Sequence, residues 1–141
     1  EANRRIGSIS SHDISLPLSV ISTFIDEARV EISKLGNFRI NCFGHLGDGN
    51  LHFNIFPNKG EKREDYNHIR PEIKKTIHDL VHLHGGSVSA EHGIGRLKIN
   101  DLVKYSDPVK LKLNKSIKAV MDPKGILNPG VIFAPTHKIK K

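Results

Sequence analysis

Residues 44–54 read GHLGDGNLHFN, and two histidines, His45 and His52, bracket the run Gly47-Asp48-Gly49-Asn50. Asp-Gly is a favoured centre for a two-residue type I′ hairpin turn, because both central residues need positive φ. With Asp48-Gly49 there, Gly47 pairs with Asn50, Leu46 with Leu51 and His45 with His52. Directly opposed residues on one face have Cβ atoms about 4.5–5.5 Å apart, close enough for two imidazoles to share one ion. Alternation supports this register. One face carries Ile40, Cys42, Leu46, Leu51, Phe53 and Ile55 and is the expected core. The other carries Asn41, Phe43, His45, Asn50, His52 and Asn54. That polar face is either a site or a solvated sheet surface with two incidental histidines.

Outward from the hairpin, HDISLP alternates and stops at Pro17, which predicts a short first strand. Ser19 is a candidate cap for a helix with Ile21, Phe24, Ile25, Ala28, Ile32 and Leu35 at helical spacing and Gly36 as its stop. A second helix, carrying Ile69, Ile73, Ile77, Leu80 and Leu83, ends near His84, and Pro71 either starts or kinks it. SVSA, residues 87–90, reads as a last short strand. The order is β-α-β-β-α-β, an α+β ferredoxin-like split βαβ. One or two helices between Lys98 and Met121 follow, with Asp107-Pro108 as a helix start. The turn-rich end, MDPKGILNPG, predicts an extended terminal arm.

In the split βαβ topology the first and third core strands are adjacent and central, and a loop leaving one of them can approach the face of the other. SAEHGIGRLK supplies Glu91 and His92 just after the predicted last strand. Two histidines and a glutamate form a familiar ligand set for Zn²⁺ with a position left open. His92 would then stand beside the ion as a general base. The plainer alternative is that Glu91-His92 caps the next helix. A rival pair, His78 and His82 in HDLVH, lies one helical turn apart, but Asp79 stands where a zincin needs Glu. A solvated helix face is the expectation there.

The chain has 141 residues, enough for one domain, with a formal charge of +7 and a pI near 9.6. Such a balance favours acidic partners. Aromatics are only 6%, with no Lys/Arg stripe interleaved among them, which argues against nucleic acid. No run approaches the roughly 18 apolar residues of a membrane span. The lone Cys42 excludes an internal disulfide. The opening EANRRIGSISSHDISLP has neither an initiator Met nor an apolar signal core, so a fragment of a longer protein is expected. The closing HKIKK is expected to be a solvated tail.

Taken together, GHLGDGNLHFN, SAEHGIGRLK and MDPKGILNPG resemble the C-terminal domain of the FAD-linked oxidases of the vanillyl-alcohol-oxidase flavin superfamily, over about His12 to Phe133. Members nearest in motif oxidise D-2-hydroxyglutarate, D-lactate or glycolate. The resemblance implies that residues 1–141 form the substrate- and metal-binding cap of a longer flavoenzyme. FAD would be held mainly by an upstream domain, and a divalent metal, expected to be Zn²⁺, by the cap. His45, His52 and Glu91 match the family's metal ligands, and His92 matches its catalytic base. Asn54 matches a substrate-binding amide, and Asn128 a terminal-arm residue that approaches the flavin. Members often read Tyr-Lys-His-Asp before the first strand. This chain reads Ser10-Ser11-His12-Asp13, so Ser11 stands where a substrate-contacting Lys is usual.

The implied reaction is oxidation of a small D-2-hydroxy acid to the 2-oxo acid. The metal activates the hydroxyl, His92 takes its proton and hydride passes to flavin. The expected partners are that acid, the upstream FAD-binding domain and an unspecified electron acceptor. A cytoplasmic or mitochondrial-type setting is expected. A metal-dependent hydrolase and a non-catalytic ferredoxin-like binding module are the alternatives.

Overall fold

The computed structural model describes residues 7–134, so the HKIKK tail lies outside the described residues. The described residues divide after Glu91 into two compact units. The first unit contains β1 (Ser10–Ser15), α1 (Ile21–Leu35), β2 (Arg39–Phe43), β3 (Asn50–Phe56) and α2 (Arg70–Leu83). The strands form an antiparallel sheet in the order β1-β3-β2. The architecture is α+β, with β1 and β3 adjacent as the sequence pattern predicts.

Each helix buries one stripe. Ile21, Phe24, Ala28 and Ile32 are buried on α1, and Ile73, Ile77, His78 and Val81 on α2. These stripes meet Ile14, Phe53 and Ile55 of the sheet in one core, with Phe24 edge-on to Phe53 at 6.0 Å between ring centres. Full burial of each large apolar side chain contributes about 1.5–3 kcal/mol. Pro71 starts α2, where its missing N–H costs no hydrogen bond.

Several expectations need correction. Ser19 does not cap α1 with its side chain. The helix is entered through a 3₁₀ turn, Leu18–Val20, closed by Val20 N–H donating to the Pro17 carbonyl at 3.1 Å. Leu83 is exposed, and Val81 takes the buried place near the end of α2. Residues 87–90 form only an isolated antiparallel bridge, Ser15 with Ser87. The Ser87 hydroxyl donates to the Ser89 carbonyl at 2.9 Å and accepts from its N–H at 3.3 Å. Such local side-chain bonds compete with a strand ladder, so the fourth strand of the split βαβ does not form.

The second unit contains α3 (Ile99–Tyr105) and α4 (Pro108–Met121). Asp107 caps α4 as expected, its carboxylate accepting from Lys110 N–H at 2.8 Å. The following segment is not an extended arm. Asp122 accepts from the N–H groups of Ile126 and Leu127, each at 3.0 Å, which folds DPKGILN into turns. Ile132 N–H then donates to the Gly95 carbonyl at 2.8 Å, tying the end of the unit to its start.

Candidate metal centre

The hairpin differs from a two-residue turn. His45 and Asn50 exchange backbone hydrogen bonds at 3.1 and 3.2 Å, enclosing a loop that contains the 3₁₀ turn Leu46–Asp48. The Asp48 carboxylate accepts from Asn50 N–H at 3.1 Å, and Gly49 is left-handed at φ 73°. The Gly49 carbonyl also accepts from Leu16 N–H at 3.0 Å, docking the loop on the segment after β1. A Cβ on Gly49 would lie 2.1 Å from the Leu16 carbonyl oxygen, so only glycine fits there.

The longer loop moves the register. His52 stands opposite Phe43, and the two histidines are diagonal neighbours, not direct partners. Their ring centres are 6.4 Å apart. Leu46, expected in the core, leaves the strand with the loop and is exposed.

The third residue arrives from the segment beside β1. Ala90 N–H donates to the Asp13 carbonyl at 3.3 Å, and Glu91 N–H to the Asp13 carboxylate at 2.8 Å. The Glu91 side chain then reaches both rings. One carboxylate oxygen is 3.4 Å from His45 Nε2 and the other 3.5 Å from His52 Nε2. Ligand atoms of His45, His52 and Glu91 all lie within 4.8 Å of one another. A tetrahedral Zn²⁺ with bonds of about 2.0–2.2 Å requires donor separations of roughly 3.4 Å, the distance at which Glu91 stands from each imidazole. The His45 side chain is 67% exposed and that of His52 only 19%, leaving the centre open on the His45 side.

Asn54 is buried two residues beyond His52 on the same strand, in register with Ser11 on β1 and Asn41 on β2. The Ser11 hydroxyl is hydrogen-bonded to that of Ser8 at 2.6 Å. His92 follows Glu91 directly and is exposed. Asn128 belongs to the second unit, with φ 47° and its carbonyl accepting from Val131 N–H at 3.1 Å. The rival pair on α2 is not a solvated face: His78 is buried edge-on to His12 at 5.2 Å, whereas His82 is exposed. The sequence pattern puts Asn50 on the candidate face but does not single out Asp13, which bonds to both Asn50 and Glu91. The available signal was an Asp inside a short strand, where acidic residues are depleted. Cys42, on the core side of β2, has its thiol pushed up by burial, with Arg29 opposing.

A family model described as FAD linked oxidases, C-terminal domain, matches residues 2–132. The chain is 38% identical to D-2-hydroxyglutarate dehydrogenase, mitochondrial, of Arabidopsis thaliana over 92% of its own length and 22% of that protein. It is 38% identical to D-2-hydroxyglutarate dehydrogenase of Stutzerimonas stutzeri, over 87% of this chain and 27% of that one. It is 36% identical to the mitochondrial enzyme of that name from Bos taurus, over 97% and 24%. The chain thus spans about a quarter of the length of these curated relatives.

Proposed function

The chain belongs to the C-terminal-domain family of FAD-linked oxidases, and on that premise we propose that it is the substrate- and metal-binding part of a longer FAD-dependent oxidoreductase that converts a D-2-hydroxy acid to the 2-oxo acid. The observation that carries this reading is the convergence of His45, His52 and Glu91 from separate segments, with ligand atoms within 4.8 Å. Bound there, a divalent ion, Zn²⁺ by the donor set, supplies Lewis-acid polarisation of a substrate hydroxyl, and FAD supplies the two-electron acceptor.

The chain's own residues do the rest. His45, His52 and Glu91 would hold the ion. His92 accepts the C2 hydroxyl proton at an imidazole nitrogen as hydride leaves C2. Asn54 offers an amide to the substrate, and Asn128 takes the flavin-approaching role that the family resemblance implies. The net charge of +7 favours an anionic substrate. Opposite Asn54, Ser11 provides a hydroxyl where an ammonium is usual in the family, which keeps the proposed substrate at the class of D-2-hydroxy acids. The relatives' names support a mitochondrial-type setting. Among the described residues no helix is long and apolar enough to cross a membrane.

The test is anaerobic mixing of the full-length flavoprotein with D-2-hydroxyglutarate or D-lactate. The expected result is bleaching of the flavin absorbance, abolished by a chelator and restored by Zn²⁺. A full-length protein without flavin, or one whose flavin neither acid bleaches, overturns the proposal.

A further inference from the structure

Asp13 is 5% exposed, and a carboxylate so deeply buried is tolerated only when its oxygens are engaged. One oxygen accepts from the Asn50 side-chain amide at 2.9 Å and the other from Glu91 N–H at 2.8 Å. The first oxygen also lies 3.9 Å from His52 Nδ1, within ion-pair range but beyond a hydrogen bond. Strand alternation explains this concentration. His12 and Ile14 turn into the core, and Asp13 turns to the opposite face, in register with His52.

The His52 ring is therefore strung between two carboxylates, with Nδ1 towards Asp13 and Nε2 towards Glu91 at 3.5 Å. A proton on Nδ1 is attracted by Asp13, which leaves the Nε2 lone pair facing the Glu91 carboxylate. A metal-bound histidine commonly relies on such an outer carboxylate to fix its tautomer and ring orientation. Asn50 orients Asp13 in turn. Its amide nitrogen is held by two acceptors, the Asp13 carboxylate and the Ile14 carbonyl at 3.2 Å, and the residue is 1% exposed.

We infer that Asp13 is the positioning residue of the metal centre: its buried carboxylate fixes the Glu91 backbone and holds His52 as the Nδ1–H tautomer with Nε2 as the donor. This rests on the metal reading of His45, His52 and Glu91. A carboxylate that merely secured the turn at residues 90–91 would affect stability and leave the tautomer and the metal affinity alone.

The experiment titrates the chain with Zn²⁺ against a chromophoric chelator and with Co²⁺ by visible absorption. Asp13→Asn is compared with Asp122→Asn, which removes a buried carboxylate from the second unit. Asp13→Asn is expected to weaken Zn²⁺ about 10–100-fold and to alter the Co²⁺ spectrum, while Asp122→Asn changes neither. Equal affinity and spectra for Asp13→Asn and the unsubstituted chain overturn the positioning role alone. An unsubstituted chain that takes up neither ion overturns the metal reading and this inference with it. Should Asp13→Asn fail to fold, nitrogen-15 NMR of the unsubstituted chain decides: the Nδ1–H tautomer at His52 is expected, and the Nε2–H tautomer overturns the inference.

Discussion

Glu91 Oε2 lies 3.5 Å from His52 Nε2, although the two residues belong to separate segments of the first unit. The contact depends on the loop after α2 running back beside β1, where Asp13 takes the Glu91 N–H. We expect His45→Ala, His52→Ala and Glu91→Ala each to reduce Zn²⁺ affinity by more than the roughly 10–100-fold expected of an outer residue. His82→Ala should leave affinity unchanged. Chelator competition measures all four. A loss confined to His82→Ala would move the centre to α2.

A ligand and a base differ in what their removal does. In the full-length enzyme, His92→Ala should lower turnover by about 10²–10⁴-fold while metal content stays near one ion per chain. His52→Ala should lose metal and activity together. Steady-state kinetics alongside elemental analysis reads both. If His92→Ala strips the metal and His52→Ala retains it, the two roles are exchanged.

The hairpin loop gives a sharp steric test. Gly49→Ala must place a Cβ 2.1 Å from the Leu16 carbonyl oxygen at a φ of 73°. The left-handed conformation alone costs about 1–2 kcal/mol, and the clash adds to it. We expect Gly49→Ala to destabilise the chain by at least about 2 kcal/mol. Gly47→Ala, with nothing within 4 Å of its Cβ, should stay within about 0.5 kcal/mol. Urea unfolding midpoints distinguish the two, and equal midpoints would contradict this account of the loop.

The hairpin also shows why the sequence was a good guide to the faces of the strands and a poorer one to the turn. Asp48-Gly49 favours a two-residue turn locally, but the Gly49 carbonyl bonds to Leu16, and that tertiary contact selects a longer loop. The resulting register pairs His45 with Asn50 and Phe43 with His52, two positions from the pairing predicted. An even shift returns every strand side chain to its own face. His45, His52 and Asn54 therefore keep the face that alternation assigned them, whereas Leu46, carried into the loop, does not. The helices were legible because their stripes repeat over several turns. The fourth strand was not, since Ser87 spends its hydroxyl on Ser89, a local choice that alternation cannot reveal. His78 departs from expectation for a related reason: its polarity suggests solvent, and only the packed core supplies His12 as its neighbour.

Asp122 makes the second unit sensitive to acid. Its carboxyl is held below the usual aspartate range, chiefly by the hydrogen bond from the Lys118 ammonium at 2.6 Å. Burial opposes this, while the N–H groups of Leu127 and Ile126 and the Lys118 charge add to it. A group whose folded pKa is lowered stabilises the fold above its unfolded value, about 3.9 for Asp, and loses that contribution as pH falls through the folded value. The melting temperature of the chain should therefore drop below about pH 4 as Asp122 protonates. Lys118 also donates to the Leu127 carbonyl at 2.8 Å, so the ammonium keeps one partner when the carboxylate is lost. Asp122→Asn should melt lower than the unsubstituted chain at neutral pH, and the gap should close as pH falls below about 4. Calorimetric melts of both proteins across that range provide the measurement. A gap that stays constant down to pH values well below the ordinary aspartate range would show that the carboxylate charge contributes nothing to the turn.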